Sequence, residues 1–464
     1  MIPMKKFLLL CGVVLGCPLS VQAQEVSEAA RVAVVHDVIF PDDLKLAGDG
    51  MDDAPTIQRA VSMICNARDH RSMAGIIQLQ ARVYEIDSTV DVPCAVTIRG
   101  TGWQEQMPLS AGTWLHITSK GAGSPAIHVH GREARGTVIR DIALYQDHPA
   151  PSSVARTAWK PTEYAPAILF SRIDGGVFLN HLLFAGIYGG VYADGVGRFE
   201  ANGIYGEFYR YGISIHHSYD VDRIYDVHGW GYYTQSNTKS HPQNMLLTRE
   251  QVGNIQDWKT ENENLIVLGR ADTPFLDNIF GLGTHSVLQL TQDSNVGDYI
   301  GGHPSKIHSG KLSCDQSKYC LWVDNTTRGQ VTGLFSQLDW QGEDSARLGK
   351  NIPDNAAIQL DGSAQLQIGD MFVQNVSGAA INMTNTSQCS NLMIHSMFGG
   401  FNQSPPSAPV AHMPACDRKG YNEIQLDAFT AVNNSGGKWP AFVDSGSVGH
   451  FLLSTYTEEN RHTR

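Results

Sequence analysis

Apolar residues recur at Ile57, Ala60, Val61 and Ile64, the i, i+3, i+4, i+7 spacing that gives a helix one apolar face. Asp53 stands where an N-cap is wanted, and Pro55 falls in the first turn, where a missing N–H costs nothing. One short helix is predicted over about residues 54–66. Beyond it the period drops to two. Residues 76–79, 83–86, 90–92 and 96–100 alternate apolar and polar positions between turn residues, the pattern of short strands with one face buried.

The rest of the chain repeats one template, apolar-x-apolar-x-(Asn/Asp/small)-apolar-x-apolar. Copies lie at 137–144, 177–184, 199–206, 222–229, 274–281, 329–336, 366–373, 392–399 and 424–431. The fifth positions of the second, third and fourth copies are 181, 203 and 226, so the spacing is 22 and then 23 residues, about one coil of a parallel β-helix. Small and amide residues tolerate left-handed backbone, and a sharp turn is predicted at each fifth position. Coils of a solenoid stack only on their neighbours, which explains how 464 residues run on without a Pro/Ser-rich linker or charge block to divide them. The two ends of such a stack need covers. The helix at 54–66 would cover one and the segment after Phe442 the other.

The stretch Gly48-Asp49-Gly50, Asp52-Asp53, Ile57-Gln58 and Ala60, followed by strands ending in Val96-Thr97-Ile98-Arg99-Gly100, resembles the start of secreted pectate-lyase-superfamily (pectin-lyase-like) proteins. The likeness is specific over about residues 46–102 and a matter of pattern beyond. It implies an all-β, single-stranded right-handed parallel β-helix with an N-terminal capping α-helix, and a function directed at polysaccharide. The domain reading is then residues 1–23 as a signal peptide, 24–45 as an extension, 46–456 as the β-helix and 457–464 as a tail. Polygalacturonase-like relatives carry N-T-D, D-D, G-H-G and R-I-K signatures on successive coils. Here Asp-Asp occurs only at Asp42-Asp43 and Asp52-Asp53, and Arg-Ile is followed by Asp174 or Tyr225, never by Lys. The calcium-aspartate and arginine patterns of pectate lyases are missing too, so the resemblance supplies no catalytic residues.

Lys5 and Lys6, the apolar run from Phe7 to Gly16 and Val21-Gln22-Ala23 read as a secretory signal cleaved after Ala23, with the product secreted or periplasmic. A lipoprotein signal at Cys17 is the alternative, but Leu15 and Pro18 fit it poorly. No later segment has the length and apolarity of a membrane helix, so no membrane insertion is expected. Loss of the two leader lysines takes the formal charge from −12 to −14, and without a basic run this argues against nucleic acid as a partner. Six cysteines remain, and short loops favour the pairs Cys65–Cys94, Cys314–Cys320 and Cys389–Cys416 among fifteen connectivities. No C-x-x-C supports zinc as their competing use.

The densest polar and aromatic stretch runs from Glu200 to Tyr233. Tyr209, Arg210, Tyr211, His228, Trp230 and Tyr232 are candidates for binding sugar, since aromatic faces suit pyranose faces. Glycoside hydrolysis would need two carboxyl groups roughly 5–10 Å apart, for which Glu207 with Asp220 or Asp222 are the candidates. β-Elimination on a uronic acid would need a base and a cation near the sugar carboxylate, for which His217, Arg223 and Tyr225 are the candidates. Each has a plainer use: Asp226 sits at a turn position, and His216, His217 and His228 also suit an ordinary surface. Loops at 147–164, 232–264 and 299–319 are long enough to wall a cleft or merely to shield the sheet.

No organic cofactor and no metal site is indicated. Calcium has no twelve-residue loop to support it, and helix capping accounts for Asp52-Asp53. The expected function is that of a carbohydrate-active protein cleaving a complex or acidic polysaccharide, as glycoside hydrolase or lyase. The rival is a β-helix that binds or organises polysaccharide at a cell surface without cleaving it. Monomer and trimer both remain open.

Overall fold

The computed structural model describes residues 38–66, 75–104, 111–119, 121, 123–231, 247–324, 329–342, 355–374, 379–384, 388–401, 409–416, 421–433, 442–443 and 449–460. The predicted leader and Tyr232 lie outside them. All strand-to-strand pairings among the described residues are parallel, and each joins a strand to one on the next coil. Three faces result. The first sheet stacks residues 76–78, 97–99, 138–140, 177–180, 199–202, 223–225 and 275–277, and continues to 450–453. The second stacks 83–86, 114–117, 143–146, 182–187 and 204–208 onward. The third stacks 90–92, 127–130, 168–171, 191–194, 213–216, 264–268, 286–290, 319–323 and 356–360 onward. This is a parallel β-helix, as the coil template predicted.

One interior row shows how the sequence drives the stack. Ile77, Ile98, Ile139, Leu179, Ala201, Ile224 and Leu276 pair in register, one per coil, and each is at most 2% exposed. Each Ile or Leu so buried contributes about 1.5–3 kcal/mol. The bend between first and second sheets falls where the template placed it: Asp141, His181, Gly203, Asp226 and Asn278 all have φ between 52° and 68°. In the last coils the template was misplaced. The residues that drop out of the ladder there are Ser336, Gly369, His395 and Asp427, not Gly333, Asp370, Ser396 and Ala428. Alternating apolar positions match a permissive template equally well when shifted by a residue or more.

Helix α1 (Ala54–Asn66) buries Ile57, Ala60, Val61 and Ile64 against the first coil. Asp53 precedes it, but only its carbonyl serves the helix, accepting from the N–H groups of Thr56 and Ile57. Its carboxylate, 2% exposed, instead accepts from Lys45 (2.7 Å), Arg82 (2.8 Å) and the Glu85 N–H (3.0 Å), fastening the cap to the coil. Strand Val38–Ile39 already pairs with 76–77, and the last strand runs to Asn460, so the boundaries at 46 and 456 fall inside the ladder. The three expected disulfides, Cys65–Cys94, Cys314–Cys320 and Cys389–Cys416, are formed.

Helix α2 (Arg249–Asn262) lies in the stretch read as loop. Thr248 and Gln251 form a capping box at its start. Asn254 on α2 accepts from the Thr157 N–H (2.9 Å) and donates to the carbonyls of Ser152 and Val154, joining α2 to the 147–164 loop as a single wall.

A candidate active-site groove on the third sheet

Side chains alternate across a strand, so one outward position per coil forms a row along the stack. On the third sheet that row reads Asp91, His128, Leu169, Tyr192, Ser214, Val267, Gln289, Trp322, Gln359 and Asn382. Two residues further along each strand, His130, Ser171, Asp194 and His216 form a second row. The strands then turn: Gly131, Arg172, Gly195 and His217 all have positive φ, between 47° and 79°. The segment 293–302 folds back on itself beside this edge, with Asp293 and Gly302 exchanging both backbone hydrogen bonds (2.7 and 3.1 Å).

Two histidine–carboxylate pairs meet there. His216 Nδ1 lies 2.6 Å from Asp293 Oδ1 and its Nε2 lies 2.8 Å from Ser214 Oγ. An ionised carboxylate only accepts, so Nδ1 carries the proton and Nε2 accepts from the serine hydroxyl. Asp293 Oδ2 also accepts from the N–H groups of His217 (3.0 Å) and Arg270 (2.7 Å). Burial pushes its carboxyl pKa up, but His216 and these two donors outweigh burial and hold it below the usual range. His217 Nδ1 faces Asp194 Oδ1 (2.7 Å) and its Nε2 faces the Ser294 carbonyl (2.8 Å). Both partners are acceptors, so both nitrogens donate. Burial works against that cation, yet the Ser294 carbonyl and the Asp194 carboxylate raise the His217 pKa above its ordinary value.

Two tyrosines roof these pairs. Tyr192 stacks on His216 at 4.9 Å and Tyr299 on His217 at 5.6 Å. Burial, helped by nearby aspartates, pushes each phenol up to about 12, so both hold their protons at neutral pH. Ser214–His216–Asp293 has the hydrogen-bond order of a serine-hydrolase triad. Ser214, however, sits in mid-strand between 191–194 and 264–268, where main-chain N–H groups are committed to the ladder and cannot form an oxyanion hole. The serine therefore orients the imidazole.

Of the residues singled out in the sequence, His217 lies at this site, and Tyr211 is near it, 6.2 Å from Tyr192. The others are dispersed, because a stretch contiguous in sequence wraps round all three faces. Glu207 is fully buried, as is Glu263 near it, whose pKa is raised chiefly by burial and which lies 3.4 Å from Lys259 on α2. Tyr209 is also fully buried, packed on His148, Trp159 and Ile255. Asp222 is fully buried and accepts from the Phe199 N–H (3.0 Å) and Ser218 Oγ (2.9 Å). These three are enclosed, so they cannot touch a polysaccharide. Asp220 pairs with Arg198 (3.3 Å) at an exposed turn, and Arg210 reaches the Asn262 carbonyl (3.4 Å). Arg223 and Tyr225 flank buried Ile224 and face outward from the first sheet, while His228 and Trp230 lie on the second with Phe280. Tyr192, Asp194, Ser214 and Asp293 were missed. A usable signal existed: Asp194 and His216 are 22 residues apart, one coil, and therefore neighbours in the ladder.

No protein-family model matches the chain, and no curated protein does. Solved structures of similar fold include the A-module of the mannuronan C-5 epimerase AlgE4 of Azotobacter vinelandii. It is 12% identical with a TM-score of 0.49, covering 90% of this chain and all of that one. A Family 28 exopolygalacturonase of Yersinia enterocolitica is 11% identical with a TM-score of 0.46, covering 92% and 79%. The catalytic domain of a GH87 α-1,3-glucanase is 9% identical with a TM-score of 0.46, covering 92% and 68%. These are pectin-lyase-like right-handed β-helix proteins. The chemistry of this chain is read from its own residues.

Proposed function

We infer that the protein is exported and cleaves an acidic polysaccharide by β-elimination in the third-sheet groove. Export is supported by three disulfides, which persist in oxidising compartments. One observation carries the choice of reaction: both carboxylates beside His216 and His217, Asp194 and Asp293, are engaged by those histidines, which leaves a histidine and a tyrosine, not a carboxyl pair, as the proton-transfer groups. His216 Nε2, once Ser214 turns its hydroxyl away, takes the proton from the uronate C5. The C4–O4 bond then breaks as the C4–C5 double bond forms, and Tyr192 donates its proton to the departing oxygen. Arg172, exposed at the turn after Ser171, is the nearby cation for the sugar carboxylate.

The test is incubation of the purified chain with neutral and uronic-acid polysaccharides, following new reducing ends and the ultraviolet absorbance of unsaturated products. Both should appear with a uronate polymer. His216→Gln and Tyr192→Phe should each lower kcat by about 10²–10⁴-fold. Reducing ends without unsaturation would replace this reading by hydrolysis at Asp194 and Asp293. Retention of the protein on one polymer without cleavage would replace it by binding.

A further inference from the structure

The same outward face carries a second cluster toward the capped end. Asp91 pairs in register with His128, and His130, two residues on, shares its face. The Asp91 carboxylate lies 2.9 Å from His130 Nε2 and 3.4 Å from His128 Nδ1, and the three donor atoms all lie within 4.8 Å of one another. We propose that Asp91, His128 and His130 bind a divalent transition-metal ion, with zinc as the fitting case, leaving an open coordination position toward the groove.

Three features support this beyond residue type. First, the ligands stand on paired strands, whose backbone fixes their spacing, rather than on loops. Zinc bonds of roughly 2.0–2.2 Å in tetrahedral geometry place donors a little over 3 Å apart, so a modest turn of one imidazole closes the set. Second, His128 Nε2 lies 2.9 Å from Ser171 Oγ on the next coil. Donation from Nε2 to that hydroxyl leaves the Nδ1 lone pair facing Asp91, the tautomer a metal needs, and such outer partners orient ligands in metal sites generally. Third, Gln58 of α1 clamps the backbone of Asp91, its amide oxygen accepting from the Asp91 N–H (2.6 Å) and its amide nitrogen donating to the Asp91 carbonyl (2.9 Å). Two imidazoles and one carboxylate suit zinc and its first-row neighbours, and the hard, oxygen-seeking calcium poorly.

His130 and His216 occupy the same row three strands apart, about 14 Å at the ladder spacing. A metal at the first cluster would thus hold an oxygen of the glycan at a separate subsite from proton transfer. The proposal stands whether or not elimination is the reaction.

The experiment is titration of the chelator-treated full chain with zinc against a chromophoric competitor, and with cobalt for its visible d–d bands. One equivalent should bind with cobalt bands of low symmetry. His128→Ala and His130→Ala should each weaken binding by about tenfold or more, and Asp91→Asn should change the cobalt spectrum, while His116→Ala leaves all of this unchanged. Circular dichroism establishes that each variant is folded. Absence of uptake by the wild-type chain, or unchanged stoichiometry and affinity in a folded His128→Ala, His130→Ala double variant, would overturn the assignment.

Discussion

Asp222 shows how far burial can carry a side chain from its ordinary chemistry. Enclosure raises its carboxyl pKa to about 7, with the Phe199 N–H and Ser218 hydroxyl opposing, and its Oδ2 has no hydrogen-bond partner. The folded pKa lies above the unfolded one, so the folded state holds the extra proton. Its stabilising contribution is complete below about pH 4 and is lost as pH rises through 7. Asp222→Asn keeps an acceptor for both donors and cannot ionise. The fall in the wild type's unfolding free energy between pH 5 and 8, measured by urea titration, should therefore shrink in this variant, by on the order of a few kcal/mol. Glu263, pushed up to about 8 by burial with Lys259 opposing, acts in the same sense and should leave a remainder. A variant as pH-sensitive as the wild type would show that Asp222 titrates normally. At this scale the sequence was a poor guide. Polar and aromatic type marked Glu207 and Asp222 as catalytic candidates and Tyr209 as a sugar-binding one, but type says nothing about which face of a coil a residue occupies. His217 was singled out by type too, as a candidate base; that it closes a strand at a left-handed turn beside the outward row is visible only in the structure.

Among elements, α1 was the most legible and α2 the least. The i, i+3, i+4, i+7 spacing of α1 is preserved because its apolar stripe covers the open end of the stack, where unpaired strand edges would otherwise meet water. Ile57→Ala should cost about 2–4 kcal/mol in urea unfolding, and the exposed Met63→Ala less than about 0.5 kcal/mol. Equal effects would mean that the helix is not a cap. Opening the Cys65–Cys94 link, which fastens the end of α1 across a sequence separation of 29 residues, should cost about 3 kcal/mol more. α2 lacks such a stripe. Its attachment rests on single contacts, Trp258 Nε1 to the Tyr209 carbonyl (3.0 Å), Asn254 to the 147–164 loop, and Ile255 against Trp159. No short-period pattern announces contacts of that kind, and a length of loop was all that the chain displayed.

For the molecule as a whole, the stack converts sequence distance into linear distance: each coil advances about 4.8 Å, whatever loop it carries. The rows of the third sheet therefore run along the axis, and a polysaccharide in the groove should lie along it too, crossing one coil after another. Trp322 tests this directly. It stands in the outward row three strands beyond Ser214, about 14 Å away, half-buried, with its indole N–H held by Asp361 Oδ2 (2.7 Å) so that the ring is fixed in place. An aromatic face so placed can stack on a sugar several units from the proton-transfer groups but cannot reach the sugar being cleaved. Trp322→Ala should raise KM for long chains by about tenfold, the equivalent of about 1.4 kcal/mol. It should leave kcat, and the kinetics of oligosaccharides too short to span the distance, unchanged. If short and long substrates lose equally, the glycan crosses the stack instead of following it, and the row is only the outer surface of a sheet. If only long chains lose, the same periodicity that made the coils visible in the sequence also measures out the binding site.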